Sequence, residues 1–353
     1  MYLSKKIIKM LVTPIYITIP SFLPSHPWHP SVVYIVDGWN GHRWWMAETP
    51  FPPYNAKPYK DRWELPCIHY SDDGIYWKSI AENPIDDISE DQISNYGYLS
   101  DPHLILVNDV LYCYYRLMSD WDKQTTIYLK RSKDGIHWSD REVVCSVASA
   151  EREIVSPAIV CKDGKFRMYY VDGHFTNLNR GIQMCESTDG VHFDEPRKVK
   201  YPTTYMSNPI IPWHIDVQSI CEKVYMVIYD QEQECLSLLQ SIDGIHFETQ
   251  QKLLQVSKRW GCFYNQKLYR ACFVQAGQVS RLYFSATNGE SSHIGLMELQ
   301  SNGDWHVVNC RRGKEYFVFI ATMLWQDVYN LYKKIRHIVA QKLKRIFIFN
   351  VKK

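Results

Sequence analysis

A seven-residue signature, Ser-x-Asp-Gly-x-x-aromatic, recurs along the 353-residue chain and limits its fold more than any other feature. Copies start at Ser71, Ser132, Ser187 and Ser241, with spacings of 61, 55 and 54 residues. A degraded fifth copy is read at Ser285, with Asn288-Gly289 in the turn. Such a period marks a repeat architecture, and a unit of this length holds four short strands, the size of one propeller blade. Asp-Gly puts glycine where φ is positive, and the Asp carboxylate can bond amides inside the turn. The aromatic residue three places after glycine (Trp77, Trp138, Phe193, Phe247) opens the next strand and is expected to plug the gap between sheets. These Asp residues are therefore read as turn formers, not catalysts.

A second pattern precedes each turn: a polar or small residue, often with proline, then an apolar run, a turn and an aromatic-rich strand. It starts at His29, Ser100, Val155 and Trp213, and a shorter version at Arg259. Alternation such as Lys165-Phe166-Arg167-Met168 supports strands. The expected fold is all-β, a five-bladed β-propeller over residues 26–315, since five closed units leave no exposed sheet edge. Residues 1–25 are expected to be a leader or a closing segment, and 316–353 a basic amphipathic α-helix.

Composition excludes some partners. A net charge of +2 gives no case for nucleic acid. The 10 cysteines are scattered singly with no CxxC pair, so they read as reduced core residues of a cytoplasmic protein. The apolar N-terminus is interrupted by Lys9, Pro14 and Pro20, too short and broken to span a bilayer and a poor match to a secretion signal. From Leu324 to Ile346 apolar residues fall at helical spacing among many Lys and Arg, with no acid after Asp327. Such a helix fits the inner face of an anionic membrane, or it packs under the propeller with its basic side in water.

In a propeller the inner strand of every blade starts at one central funnel. Polar residues sit at those starts: His29, Asp101, Glu153 with Ser156, and His214 with Asp216. His29 has the chemistry of a general base and Glu153 that of an acid. His214 and Asp216, two apart on a strand, could form a His–Asp pair. Arg62 and Arg116 suit an anionic group on a ligand, and Trp39 and Trp213 offer stacking faces for a sugar. His29, Asp101, His214 and Asp216 are of metal-ligating type, but their spacing lends no independent support, so no metal or other cofactor is assigned.

These motifs, "HPSVVY", "LSDPHLI", "EIVSPAIV" and "PWHIDVQ", with the Ser-x-Asp-Gly turns, resemble the five-bladed propeller glycosidases. That group includes arabinanases, xylosidases, invertases and mannoside phosphorylases; the closer likeness is to a bacterial glycosidase-like propeller family. The resemblance covers roughly residues 26–310 and implies a carbohydrate partner and three acids opening blades one, two and three. Asp101 matches the blade-two Asp. His29-Pro30 stands where the group has Asp-Pro, and Val155-Ser156-Pro157 stands where it has its Glu, with Glu153 two residues earlier. Ordinary glycoside hydrolysis needs two carboxyl groups across the bond. The expectation is an enzyme that cleaves or transfers a glycosyl unit in cell-surface polysaccharide metabolism. A glycosyltransferase or phosphorylase of polysaccharide synthesis and a non-catalytic glycan-binding propeller both remain open.

Overall fold

The computed structural model describes residues 11–21, 23, 26–51, 64–88, 97–119, 124–148, 153–173, 180–205 and 208–350. Five antiparallel sheets follow one another along the chain. Their inner strands are Ser31–Trp39, Tyr98–Val107, Ile154–Lys162, Pro212–Ile220 and Lys267–Ala276. Each continues outward through three further strands in sequence order, so each sheet is one blade. The core is divided accordingly: every gap between neighbouring blades, including that between blades five and one, holds its own apolar cluster. The ring is closed.

The N-terminal segment helps close it. Tyr16–Ile17 adds a parallel strand outside Tyr76–Trp77 of blade one, and Ile15 N donates to Ile294 O of blade five at 3.0 Å. Of residues 1–25, expected as a leader or a closing segment, 15–17 make these contacts, and 1–10, 22, 24 and 25 lie outside the described residues.

The recurring turn fastens blades to each other as well as reversing the chain. In each of the four copies, for example at Ser71, the serine Oγ accepts from the glycine N–H and the Asp Oδ1 accepts from the next two amides. A tyrosine from the preceding blade then donates to the glycine carbonyl: Tyr114 to Gly190 at 2.8 Å, Tyr169 to Gly244 at 2.9 Å, Tyr283 to Gly74 at 3.0 Å. Between blades one and two the Trp45 ring takes that place, against Gly135. Of the plugging aromatics, Trp77 and Phe247 are fully buried and Trp138 and Phe193 half-buried.

The degraded fifth copy is not at Ser285. That residue lies in the second strand of blade five (Val279–Thr287), and Asn288-Gly289 links the second strand to the third. The equivalent turn, after the third strand Ser292–Leu299, is Ser301-Asn302-Gly303-Asp304-Trp305, where Gly303 has φ 86° and Asn302 Oδ1 accepts from Asp304 N. Asn-Gly-Asp in place of Asp-Gly hides it from a motif search.

Gly135 combines two constraints: φ of +79°, and space so tight that a Cβ would lie 2.3 Å from the Trp45 ring. Gly164 has a similar φ of +74° with nothing within 4 Å of a Cβ. Gly135→Ala is therefore expected to lower unfolding free energy by about 3 kcal/mol and Gly164→Ala by only about 1 kcal/mol in chemical denaturation. Equal losses would show that the interblade contact adds nothing to the backbone term.

A single long helix, α1 (Gly313–Asn350), follows blade five. Phe319, Met323 and Asp327 bury its inner side. Asp327 Oδ2 accepts from Gly261 N at 2.7 Å, and Asn330 Nδ2 donates to Asn288 O at 3.0 Å, so the first half of α1 is fixed to the propeller.

Candidate active site

The inner strands of blades two to five each begin with a one-residue β-bulge, and these bulges shape the site. In blade two Ser100 pairs with Arg116 and His103 with Tyr114, so Asp101-Pro102 opposes one residue. Val155/Ala158 in blade three and Leu268/Ala271 in blade five repeat this shift, and blade four has it between Pro212 and His214. Proline suits the second bulge position because no ladder N–H is required there. His29, Asp101 and Ser156, each just before a proline, have φ of 50°, 53° and 57°. Non-glycine residues in this region cost about 1–3 kcal/mol each and gather where side chains must be aimed for function. Here they stand at the starts of the inner strands of blades one, two and three.

Asp101 is the centre. Its Oδ1 lies 3.5 Å from His29 Nε2 and 3.3 Å from His214 Nδ1. Its Oδ2 accepts from Ser156 N at 3.1 Å and lies 3.3 Å from Arg116 Nε. Burial alone would raise the Asp101 carboxyl, but Arg116, followed by the two histidines, holds it well below the usual carboxylate range. Burial drives His29 down to about 3 against the pull of Asp101, and pushes His214 well below its ordinary value for the same reason. Both imidazoles are therefore neutral at pH 7, and Arg116 is the cation that keeps Asp101 ionised.

Neutral imidazoles and a carboxylate are the protonation states that bind a metal. One ligand atom from each of His29, Asp101 and His214 lies within 4.8 Å of the others. Asp101 Oδ1 and both ring nitrogens of His214 have no hydrogen-bond partner among the described residues, although all are buried. Orphaned buried polar atoms are costly unless something else satisfies them. His29 carries an orienting contact as well, Nδ1 to Thr49 Oγ1 at 2.7 Å, which leaves Nε2 facing Asp101. The donor set thus fits a divalent cation, where the spacing alone had left metal unassigned.

Other expected residues divide. Arg116 and Glu153 are buried at the site, and Glu153 is among the charges that keep Arg116 protonated. Trp213 is there too: its indole donates to Tyr269 Oη at 2.8 Å and the Arg180 guanidinium lies 3.9 Å from its ring centre. The hydroxyl of Ser156 is not a ligand group; it donates to Ile215 O at 2.9 Å and accepts from Ile215 N, tying blade three to blade four. Asp216 does not pair with His214. Its Oδ1 meets His103 Nδ1 at 3.3 Å and its Oδ2 accepts from Phe273 N, so it ties blade four to blades two and five. Trp39 lies at the far end of its strand, donating to Asp109 O and packing on Trp45 in the core. Arg62 lies outside the described residues.

Three contributors escape the sequence reading. Tyr269 opens blade five and contacts His214, His29 and Trp28, with ring centres at 4.2, 5.3 and 4.9 Å. Arg270, fully buried beside it, donates to Pro157 O at 3.3 Å. Superposing "KLYRACFV" on "LSDPHLI" would have marked both. Glu64 is buried with φ 50°, and burial, aided by the Asp101 charge, pushes its carboxyl up to about 8 against Arg116. It precedes an outer strand, Cys67–Ser71, where no blade-start rule looks.

No family model matches the chain. The A type blood N-acetyl-alpha-D-galactosamine deacetylase of Flavonifractor plautii is 26% identical over 271 residues, 62% of this chain and 34% of that protein. The chain thus spans about a third of the length of this curated relative. A crystal structure of an N-acetylgalactosamine deacetylase from F. plautii, in complex with blood group B trisaccharide, superposes with TM-score 0.68 at 19% identity, covering 90% of this chain and 98% of that one. A GH43_1 enzyme from Xanthomonas citri gives 0.60 at 12% identity, covering 86% and 95%. An alpha-L-arabinanase of Cellvibrio cellulosa gives 0.55 at 13%, covering 84% and 97%. The five-bladed fold of the GH43-type glycosidases is shared.

Proposed function

We propose that the protein is a carbohydrate-active amidohydrolase that removes the acetyl group from an N-acetylhexosamine. The observation that carries this reading is the buried His29–Asp101–His214 triad with unsatisfied ligand atoms. The deacetylase likeness supports the substrate class. Bound there, a divalent cation would polarise the acetyl carbonyl and acidify a water.

The chain's own groups supply the rest. Arg116 keeps Asp101 anionic, and the Ser156 amide and Thr49 hydroxyl fix the directions of Asp101 and His29. Glu64 holds its proton at neutral pH and is the group suited to deliver it to the amine nitrogen. Water adds to the acetyl carbon, the C–N bond breaks as the nitrogen takes the Glu64 proton, and the two protons of the water restore Glu64 and charge the amine as acetate and the amino sugar leave. Tyr269, Trp28 and Trp213 provide the aromatic wall against which a sugar ring can stack.

One observation favours a second reading, glycosidic cleavage: Glu64 protonated and Asp101 ionised have the opposite states required of an acid and its partner. Against it, blade one offers neutral His29 where the propeller glycosidases have a carboxylate. Product analysis separates them. With an N-acetylgalactosaminide, the expected result is acetate and a free amine in equal amounts, abolished by a chelator and restored by divalent metal. Release of reducing sugar without acetate would replace this reading with hydrolysis, and glycan binding with no turnover would make the protein a lectin-like propeller.

A further inference from the structure

One exposed flank of α1 is apolar. About 120° round the helix from the buried Phe319, Met323 and Asp327, the exposed residues Phe317, Leu324, Val328, Leu331, Ile335 and Val339 fall within about one quarter of the helical circumference and extend for about 33 Å. Trp325, 71% exposed, and Tyr332 line one edge of this stripe, and such amphipathic aromatics favour a membrane–water boundary. A helix that already spends one face on blade five has no reason of stability to show water a second apolar face.

Two further features give the partner's character. Lys334, Arg336, Lys342 and Lys344 are exposed along the second half of α1, and no Asp or Glu follows Asp327 in the sequence. Beside the helix, an otherwise polar groove that includes Asp327 brings Lys258 and half-exposed Trp260 of a blade-five loop next to Leu331 and Lys334, adding one lysine and one aromatic ring at the border of the stripe. No helix among the described residues is long and apolar enough to cross a membrane.

We infer that α1 docks the propeller on an anionic bilayer surface, with the Phe317–Val339 stripe in the interface and the basic residues among the lipid headgroups. Charge decides between this and a second copy of the chain: pairing two such helices would oppose like charges, whereas anionic lipid neutralises them. The anionic leaflet this fits is the cytoplasmic one. The proposal is independent of the chemistry in the funnel.

The test is co-sedimentation of the full chain with phosphatidylcholine vesicles containing about one third phosphatidylglycerol. Binding is expected to anionic vesicles, to weaken as salt is raised, and to be lost on pure phosphatidylcholine. Val328→Glu with Ile335→Glu, both on the exposed face, should lower bound protein at least about tenfold while the Tm is kept. Lys334→Gln and Arg336→Gln should each weaken binding about fivefold. Absence of binding to anionic vesicles, or undiminished binding by the double Glu variant, would overturn the proposal. So would light scattering that finds a wild-type dimer dissociated by the same variant, since a second copy would then cover the face.

Discussion

His214→Leu is expected to lower deacetylase kcat/KM by about a thousandfold or more and to leave the purified protein without stoichiometric divalent metal. The metal-free variant should nevertheless melt at or above the temperature of metal-free wild type. The reason is the state of the imidazole: it is buried and neutral, and neither ring nitrogen has a hydrogen-bond partner among the described residues. Removing a buried polar group that bonds to nothing leaves no orphan behind and lifts a desolvation penalty. Asp101→Asn is a poorer probe because it strips Arg116 of a buried counter-charge, so lost activity would be mixed with lost stability. If metal content stays at one per chain in His214→Leu, or if its apo form melts far below wild type, the imidazole is a packing element and the metal-centred reading fails.

What the sequence revealed follows from how local each signal is. The Ser-x-Asp-Gly turn is made of bonds within six residues, so four copies could be read directly, and the fifth blade was legible only from the strand pattern that begins at Arg259. His29, Asp101 and His214 were legible because a polar side chain opening an apolar strand is a conflict visible in one line of sequence. Asp216 shows the same conflict, yet its partners, His103 and Phe273, come from other blades, and no spacing rule selects them over His214. Ser156 was misread in the same way, since Ile215 of the next blade claims its hydroxyl. Trp39 sits at the wrong end of its strand: at about 3.3 Å per residue, Ser31–Trp39 carries the indole some 26 Å from the funnel end. Glu64 was missed because it reaches the site ahead of an outer strand, a route that exists only once the blades are closed into a ring.

That makes Glu64 the sharpest test of the three-dimensional site. In Glu64→Gln, kcat should fall about 10²–10⁴-fold with metal content unchanged, because the amide keeps the shape but cannot carry the proton. A stability measurement on the chelator-treated protein checks the same group without turnover. Burial raises the folded carboxyl from its ordinary 4.5 to about 8, whereas the unfolded chain ionises near the ordinary value. Between those two pH values the folded protein holds a proton that the unfolded chain has released, so raising the pH through this window favours unfolding. Wild-type stability should accordingly decline from about pH 5 to pH 8 by up to a few kcal/mol more than that of Glu64→Gln, and the two curves should run parallel above about pH 8 and below about pH 4. Parallel curves throughout, with kcat unaltered, would remove Glu64 from the reaction and leave the amine without its proton donor.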